Sequence, residues 1–399
     1  MFILEDDFMF RKTAVAVLCC MTAAGTFMFP SDFRTVFIKG NMADKTAAVR
    51  EASGDDGIWL SVKALEFALE YKPMLGRDRE LDGLAVAAVL SLPAEYMVSA
   101  DASGKNELKS RLLELFSKFD DSDTVRIAVL SKIVSVRDGF PAGEFALMLD
   151  GYVSSADPDT ADAGVFRSAV STLGYIGDGA SFSVLYALWK KNPDSPYTED
   201  FESAMTRLAA VSSDEISALI DNEDSASVAR LFSLISSSSE ISQKNRAEIA
   251  EKVLKKSILT ADGSLTDKDT VDMQLSAVRV LSGSRWTRAS SAGLEFFPLA
   301  EKEFHAGVMS EEQFIEVVAA LGVIAPLDAV APLSAYLGEL NAAAELGDYA
   351  STGIMLAVIN TLGAIGDKAA FDTLLAVSYL GYPEPVLSAA RNALAGLKW

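Results

Sequence analysis

The sequence predicts an all-α protein built from antiparallel helix pairs that stack on one another. Apolar residues recur at helical spacing nearly everywhere after about residue 40. The same helix–turn–helix pattern returns along the chain, as it does in repeat proteins. No run of alternating apolar and polar residues competes with this pattern as a β-strand. Half of the 399 residues are hydrophobic, which is enough for a large core.

Residues 360–377, NTLGAIGDKAAFDTLLAV, and the segment after them show how one unit is built. Asp367 stands where a helix N-cap belongs, and apolar residues at helical spacing follow it. Gly381 follows the last of them, and Pro383 and Pro385 prevent the helix from continuing. A second apolar stripe then runs to the C-terminus. The segment therefore predicts a helix, a tight turn and a second helix.

Two glycines, Gly363 and Gly366, precede Asp367 and raise the question of a phosphate-binding loop. Such a loop follows a β-strand, and neither GAIG here nor the similar GYIG at 174–177 does so. We therefore expect the corner of a helix pair. The glycines would allow a left-handed φ at the helix end and a close approach of neighbouring helices.

The repeat is marked by a leucine in the second helix of each pair, at spacings of about 40 residues. Two adjoining spacings, 26 and 47 residues, depart from this value, and we expect one pair to have lost loop residues and its neighbour to have gained some. Nine pairs fit between residue 56 and the C-terminus, with an extra helix at 42–53. The leucines are Leu90, Leu130, Leu173, Leu208, Leu234, Leu281, Leu321, Leu362 and Leu394.

Three units resemble HEAT repeats, and most closely the short HEAT-like units of phycobilin lyases: STLGYIGDGASFSVLYAL at 171–188, AALGVIAPLDAVAPLSAYL at 319–337 and NTLGAIGDKAAFDTLL at 360–375. DSDTVRIAVL at 121–130 and KTAAVREA at 45–52 resemble the V-R portion of that pattern. The resemblance implies an armadillo-like α-solenoid, a right-handed superhelix of about nine stacked pairs whose second helices line the concave side. It implies a binding role and carries over no active site.

The N-terminus resembles a secretory signal peptide. Arg11 and Lys12 precede an apolar stretch at 13–24, and small residues lead up to Gly25. We expect cleavage after Gly25, with Met9 as an alternative start. An uncleaved membrane anchor stays open, because residues 27–29 extend the apolar run to roughly a membrane-spanning length. The predicted organisation is a signal peptide at 1–25, a linker and first helix at 26–55, and the HEAT-like α-solenoid at 56–399.

Charge and composition exclude several functions. The chain has 56 acidic and 35 basic residues and a net charge of −21, which disfavours nucleic acid and anionic membranes. The cysteines, Cys19 and Cys20, both lie in the leader, and His305 is the single histidine. A Cys/His zinc site, a disulfide framework and a cysteine nucleophile are thus excluded from the rest of the chain. We predict no catalytic, cofactor or metal site.

Individual candidates favour structural roles. His305 is expected to cap or flank a helix end. The acidic pairs Glu311/Glu312 and Asp120/Asp121 are expected to favour helix dipoles. The stretch ADPDTADAG hints at a calcium loop but lacks the closing glutamate, so a solvated turn and an N-cap are expected at Asp157, Asp159, Asp162 and Gly164.

The basic concentration at 244–256 is interleaved with acids and is expected to form a solvated face, with a Glu248–Lys252 pair; a partner-binding patch stays open. The residues are Lys244, Arg246, Lys252, Lys255 and Lys256, with Glu248 and Glu251. Of the tryptophans, Trp59 and Trp189 are expected in the helix-packing core, while Trp286 and Trp399 stay open as partner anchors.

These observations predict an exported, non-catalytic scaffold or adaptor of the bacterial periplasm or cell envelope. It would bind a basic or extended protein partner on its concave face, and touch a membrane only if the leader stays uncleaved. The alternative is a HEAT-like enzyme or lyase-type protein that acts on a small ligand in the concave groove. A third reading is a structural assembly factor. A pocket on the concave face with an acidic pair and an aromatic wall would favour the small-ligand alternative, and a smooth groove without such a pocket would favour the scaffold.

Overall fold

The structure is a computed structural model that describes residues 33–156, 162–261 and 263–398. These residues form 21 α-helices and two short 3₁₀ helices, and no β-strand occurs among them. The all-α prediction is confirmed. The predicted leader with Cys19 and Cys20, and the candidate residues Asp157, Asp159 and Trp399, lie outside the described residues.

The described residues fall into two compact units, divided after Phe140. The helices of the first unit are α1 (Phe33–Lys39), α2 (Met42–Glu51), α3 (Gly54–Leu75), α4 (Arg79–Ser91), α5 (Ala94–Ser99), α6 (Ala102–Lys118) and α7 (Asp123–Val136). Here α3 packs against α1 and α6, while α4 packs against α2 and α7, so that the helices alternate between two rows. The short α5 packs against α6 and α7.

The second unit contains seven helix pairs among its described residues. They are α8 (Gly143–Ser155) with α9 (Ala163–Ile176), α10 (Gly179–Lys191) with α11 (Thr198–Leu208), α12 (Ser213–Asn222) with α13 (Ser225–Ser236), α14 (Gln243–Ala261) with α15 (Lys268–Gly283), α16 (Ser290–His305) with α17 (Glu311–Ile324), α18 (Val330–Glu345) with α19 (Thr352–Ile365), and α20 (Phe371–Val377) with α21 (Glu384–Ala395).

The helices of the second unit also alternate between two rows. Each second helix, from α9 to α21, packs against the second helix of the next pair. The first helices of neighbouring pairs pack in the same way, and between α16 and α18 aromatic side chains make the contact. The helices of the second unit thus pack against helices of neighbouring pairs as well as against their own partner.

The predicted repeat positions agree with these pairs. All nine marker leucines lie in the later helix of a pair: in α4 and α7 of the first unit and in the seven second helices of the other. The predicted extra helix at 42–53 is α2, and a further short helix, α1, precedes it.

The expected change in loop length between Leu208 and Leu281 is confirmed, and helix length changes as well. The loop inside the short pair spans only 223–224, against 192–197 in the preceding pair, and the loop before α14 spans 237–242, against 209–212 before α12. The short spacing also arises because α12 and α13 have only 10 and 12 residues. The long spacing that follows also arises because α14 and α15 have 19 and 16 residues. Helix length and loop length therefore both vary between these units.

The predicted corner at 360–377 is confirmed, and its two glycines have different roles. Gly366 ends α19 with a left-handed φ of 73°, and the Asp367 side chain then accepts a hydrogen bond from the Ala369 N–H at 2.8 Å. Gly363 lies inside α19, where a Cβ would stand 2.8 Å from the next second helix. Two other second helices also use glycine for close packing. The facing pairs are Gly174 with Ala204, Gly322 with Thr361 and Gly363 with Ala393.

Within the described ranges, no helix combines the length and the apolar composition that crossing a membrane requires.

Candidate functional site: an acidic cavity between two first helices

A cavity of about 360 Å³ opens between α16 and α18, the first helices of neighbouring pairs in the second unit. We call it the acidic cavity. The start of α17, the loop at 348–351 and the first turn of α19 complete its lining. Its lining residues are Glu301, Phe304, His305, Glu311, Tyr336, Glu339, Leu340, Ala343, Asp348, Ala350, Ser351 and Ile354.

Helical spacing brings the polar and aromatic side chains together. Glu301 lies three and four residues before Phe304 and His305, so that all three share one face of α16. In the same way Tyr336 and Glu339 lie one turn apart on α18. Both helices therefore present an acid and an aromatic ring to the space between them.

Aromatic rings form one wall of the acidic cavity and join it to the core. Phe304 stacks on the buried Phe314 with a centroid distance of 4.9 Å. Tyr336 meets Phe314 edge to face at 5.6 Å and Phe297 at 5.9 Å. Because Phe297, Phe314 and Tyr336 are all buried, this wall is fixed by core packing.

Carboxylates form the polar part of the lining. Burial, followed by the charge of Glu339, raises the pKa of Glu301 above its usual range, while the nearby His305 acts in the opposite direction. The Glu301 Oε1 atom lies 3.8 Å from His305 Nε2. Glu311 accepts a hydrogen bond from the Ser351 hydroxyl at 2.6 Å, which ties the start of α17 to the start of α19.

The Tyr336 hydroxyl is the least expected feature of the acidic cavity. Tyr336 is only 4% exposed, and its hydroxyl has no hydrogen-bond partner among the described residues. Burial raises the pKa of this hydroxyl, and the charges of Glu301 and Glu339 raise it further. The phenol is thus neutral at physiological pH. A buried polar group without a partner is costly, and a ligand that supplies the missing bond would relieve that cost.

The lining defines what the acidic cavity can bind. The charged side chains among its described lining residues are the carboxylates of Glu301, Glu311, Glu339 and Asp348, together with His305; no lysine or arginine is among them. Carboxylates beside aromatic faces favour a cation, through charge-assisted hydrogen bonds and cation–π contact. Within the described part of the chain, no cluster of three or more His, Cys, Asp or Glu is arranged to hold a metal ion.

Sequence reasoning located some of these residues but did not bring them together. His305 is the last residue of α16, and its side chain is 62% exposed, as expected for a helix end. Its position at the acidic cavity was not predicted. Glu311 lies in the first turn of α17, between the capping-box residues Ser310 and Gln313, and it too lines the acidic cavity.

The other predicted acidic residues have structural partners. Glu312 accepts a hydrogen bond from the Ser310 hydroxyl at 2.9 Å. Asp121 accepts one from Lys72 at 2.5 Å. Asp162 is the N-cap of α9 and accepts a bond from the Val165 N–H at 2.9 Å, as predicted.

The basic concentration on α14 is largely neutralised by neighbouring acids. Lys252 lies 2.7 Å from Asp221, in place of the predicted pair with Glu248. Glu248 instead lies 3.2 Å from Arg288, and Lys255 lies 2.6 Å from Glu251. A second cavity, of about 260 Å³, is lined by these mutually paired side chains, so it offers little unpaired charge to a ligand.

The tryptophans have mostly structural contacts. Trp189 is buried, as predicted. The Arg230 guanidinium carbon lies over its ring, 3.8 Å from the ring centroid. Trp59 is only half-buried and meets Phe37 edge to face at 6.4 Å. Trp286 donates a hydrogen bond from Nε1 to Glu251 at 2.8 Å.

A third cavity, of about 420 Å³, lies between the second helices α17 and α19, on the row where the binding surface was expected. Its described lining residues are apolar or uncharged: Ala319, Gly322, Val323, Pro326, Leu327, Asn360, Thr361, Ala364 and Ile365. A pocket with acidic and aromatic residues, as expected for a small-ligand site, is thus found between the first helices α16 and α18 and not between the second helices α17 and α19.

No protein-family model matches the sequence, and no curated protein is recognisably similar to it. The resemblance to HEAT-like repeats therefore stays a prediction, and the geometry of the acidic cavity is the main guide to function.

Proposed function

We propose that this chain is an exported, non-catalytic binding protein of the bacterial cell envelope that recognises a basic segment of a protein partner. The observation that carries the proposal is the acidic cavity, where four carboxylates lie beside an aromatic wall. The buried Tyr336 hydroxyl in that wall has no hydrogen-bond partner among the described residues. A lysine or arginine side chain would enter between α16 and α18 and bind these oxygens.

The proposed architecture of each unit is a stretch of α-solenoid. The order in which the helices pack supports this proposal. The helices alternate between two rows, and within a row each helix packs against a helix of the next pair. Close glycine contacts between second helices, such as Gly363 with Ala393, recur at corresponding positions of three pairs. An α-solenoid offers extended surfaces made from successive units, which suits an extended partner.

Electrostatics favours a basic partner at this site. A net charge of −21 attracts cations over a long range and speeds their encounter. Among the described lining residues of the acidic cavity, only His305 can offer a positive charge to the partly buried Glu301; it lies 3.8 Å away and is charged only when protonated. An ammonium group would form charge-assisted hydrogen bonds there, and such bonds are about twice as strong as neutral ones.

The test is a binding titration with the blocked pentapeptide GGKGG and its norleucine counterpart, which has the same length without the charge. The unsubstituted chain should bind only the lysine peptide. The double variant Glu301→Gln with Glu339→Gln should weaken that binding by about tenfold or more, because hydrogen bonds to charged groups contribute about 1.5–3 kcal/mol each.

A matched control removes the same charge from the same helices. Glu295 on α16 and Glu345 on α18 are exposed and do not line the acidic cavity. The double variant Glu295→Gln with Glu345→Gln should bind the lysine peptide almost as well as the unsubstituted chain. Equal losses in the two double variants, or no binding at all, would contradict the proposal.

A second candidate function is the binding or conversion of a small amine, the HEAT-like enzyme or lyase-type alternative. It is favoured by the size of the acidic cavity, about 360 Å³, which lies within the usual range of small-molecule sites. n-Butylammonium carries the lysine side chain without a backbone and separates the two functions. If it bound as tightly as GGKGG, the small-ligand function would be favoured over the peptide.

A further inference from the structure

Two loops beside the acidic cavity expose large apolar side chains. Leu346 and Tyr349, on the loop from α18 to α19, are 89% and 49% exposed. Tyr379, on the loop from α20 to α21, is 80% exposed. We call these three residues the apolar rim. Single exposed apolar residues are common on protein surfaces, whereas several exposed apolar residues grouped beside a pocket indicate an interaction site.

The two loops are packed against each other. The Tyr349 ring meets the Tyr382 ring edge to face at 5.3 Å. The Tyr349 hydroxyl lies only 2.8 Å from the position that a Cβ on Gly381 would occupy. The Tyr382 hydroxyl in turn donates a hydrogen bond to the Leu340 carbonyl at 3.3 Å. These contacts hold the apolar rim against α18.

The apolar rim adjoins the acidic cavity. Asp348, Ala350 and Ser351 line the acidic cavity and lie in the same loop as Leu346 and Tyr349. Leu340, to which the other loop is bonded, also lines it. A ligand with a cationic group in the acidic cavity would therefore have its neighbouring part over apolar surface.

We propose that the recognised segment is an extended peptide in which an aromatic or aliphatic residue lies next to the lysine or arginine. The basic side chain enters the acidic cavity, and its apolar neighbour covers Leu346, Tyr349 and Tyr379. In a polyproline II backbone, which has three residues per turn and advances about 3.1 Å per residue, neighbouring side chains point about 120° apart. One side chain can therefore enter the acidic cavity while the next covers the adjoining loop. This inference rests on the proposed function and names the class of partner sequence that it requires.

The experiment adds the blocked pentapeptide GFKFG to the titrations with GGKGG. Phenylalanine on both sides of the lysine makes the comparison independent of peptide direction. The unsubstituted chain should bind GFKFG about tenfold more tightly than GGKGG, the gain expected from burying part of one aromatic side chain. The same peptide with norleucine in place of lysine should bind more weakly than GGKGG.

Variants assign that gain to the apolar rim. Leu346→Ser with Tyr379→Ser should reduce the affinity for GFKFG to that for GGKGG, while the affinity for GGKGG stays unchanged. Leu327, another exposed leucine of the same unit, provides the control, and Leu327→Ser should keep the full gain. Circular dichroism of each variant checks that it is folded.

The outcomes separate the two proposals. If GGKGG binds and phenylalanine adds no affinity, this inference is wrong and the proposed function stands. The same holds if Leu327→Ser loses as much affinity for GFKFG as the variant of the apolar rim does. If GFKFG and its norleucine counterpart bind equally well, the apolar contact does not depend on the acidic cavity, and the inference is again wrong. If neither lysine peptide binds, the proposed function itself is wrong.

Discussion

Tyr336 packs edge to face against Phe314, with ring centroids 5.6 Å apart and an angle of 75° between the rings. This contact fixes the Tyr336 ring in the core of the second unit. Tyr336 lines the acidic cavity, and its hydroxyl is buried and has no hydrogen-bond partner among the described residues. A structural role would give the hydroxyl a partner within the protein, whereas the proposed binding role would give it a partner in the ligand.

Replacing Tyr336 with phenylalanine separates these roles. We expect Tyr336→Phe to be as stable as the unsubstituted chain or more stable by about 1 kcal/mol, because it removes a buried group whose burial is uncompensated. Binding of the lysine peptide should nevertheless weaken severalfold. Urea denaturation and calorimetric titration give the two quantities.

Tyr382→Phe is the matched control for stability. The Tyr382 hydroxyl donates to the Leu340 carbonyl at 3.3 Å, so its removal should cost about 0.5–1.5 kcal/mol. If Tyr336→Phe proved as destabilising as Tyr382→Phe, the Tyr336 hydroxyl would have a structural partner, and its assignment to the acidic cavity would be wrong.

Gly363 tests the proposed packing of second helices. Gly363→Ala should destabilise the chain by about 1–3 kcal/mol, because the new Cβ would stand 2.8 Å from the Ala393 Cβ and 3.1 Å from its Cα. Repeat units contact mainly their neighbours, so faster hydrogen exchange should stay confined to α19–α21. A uniform loss of hydrogen-exchange protection across the second unit would instead show that this unit unfolds as a single cooperative globule.

The control for this variant is Gly151→Ala in α8. A Cβ at Gly151 meets nothing within 4 Å. Since glycine inside a helix costs about 0.5–1 kcal/mol relative to alanine, Gly151→Ala should stabilise the chain. The two substitutions are chemically identical, and only the space around them gives their effects opposite signs.

Glu303 gives the second unit a pH-dependent stability. Its side chain is fully buried, and one carboxylate oxygen accepts a hydrogen bond from the Thr266 hydroxyl at 2.5 Å. The other oxygen has no hydrogen-bond partner among the residues that the structure describes. Burial raises the pKa of Glu303 above its ordinary value of 4.5, against the smaller effect of the Thr266 hydrogen bonds. The folded state therefore holds this proton more tightly than the unfolded state.

The sign of the effect follows from proton linkage. Stability from the protonated Glu303 is fully present below pH 4.5 and is lost as the pH rises through the raised pKa of the folded state. Glu303→Gln, which is always neutral, should thus gain stability over the unsubstituted chain as the pH rises. Urea denaturation from pH 4 to 8 measures this, with Glu295→Gln correcting for the lost charge. A gain that shrinks with rising pH would contradict the assignment.

The predicted signal peptide at residues 1–25 leads to a separate prediction. Exported protein should begin near residue 26, after cleavage at Gly25, and should contain neither Cys19 nor Cys20. N-terminal sequencing of the chain recovered from the envelope of an expressing bacterium tests this. A mature chain that still contains both cysteines would show that the leader is an anchor.

The helix pairs could be predicted from the sequence because their signals are local. Apolar spacing, the Ser310 capping box and the turn at Gly366 each depend on residues within a few positions of one another. The lengths of α12–α15 could not be predicted in the same way, since a change in leucine spacing does not distinguish a longer helix from a longer loop.

The acidic cavity could not be predicted because its parts come from separate helices. Glu301 and Tyr336 are 35 residues apart (336 − 301), and neither segment alone forms a recognisable site. One weak signal exists. An acid and an aromatic residue lie three positions apart in both first helices, as Glu301 with Phe304 and as Tyr336 with Glu339. Stacking of neighbouring pairs brings these two short patterns together.

The central claim is that a basic side chain enters the acidic cavity, and nuclear Overhauser contacts to the bound lysine peptide test it most directly. The Cε protons of the lysine in GGKGG should contact the ring protons of Tyr336 and Phe304. These contacts should disappear in Glu301→Gln with Glu339→Gln and persist in Glu295→Gln with Glu345→Gln. A peptide that binds without contacting either ring, or that keeps its contacts when Glu301 and Glu339 are neutralised, would contradict the account.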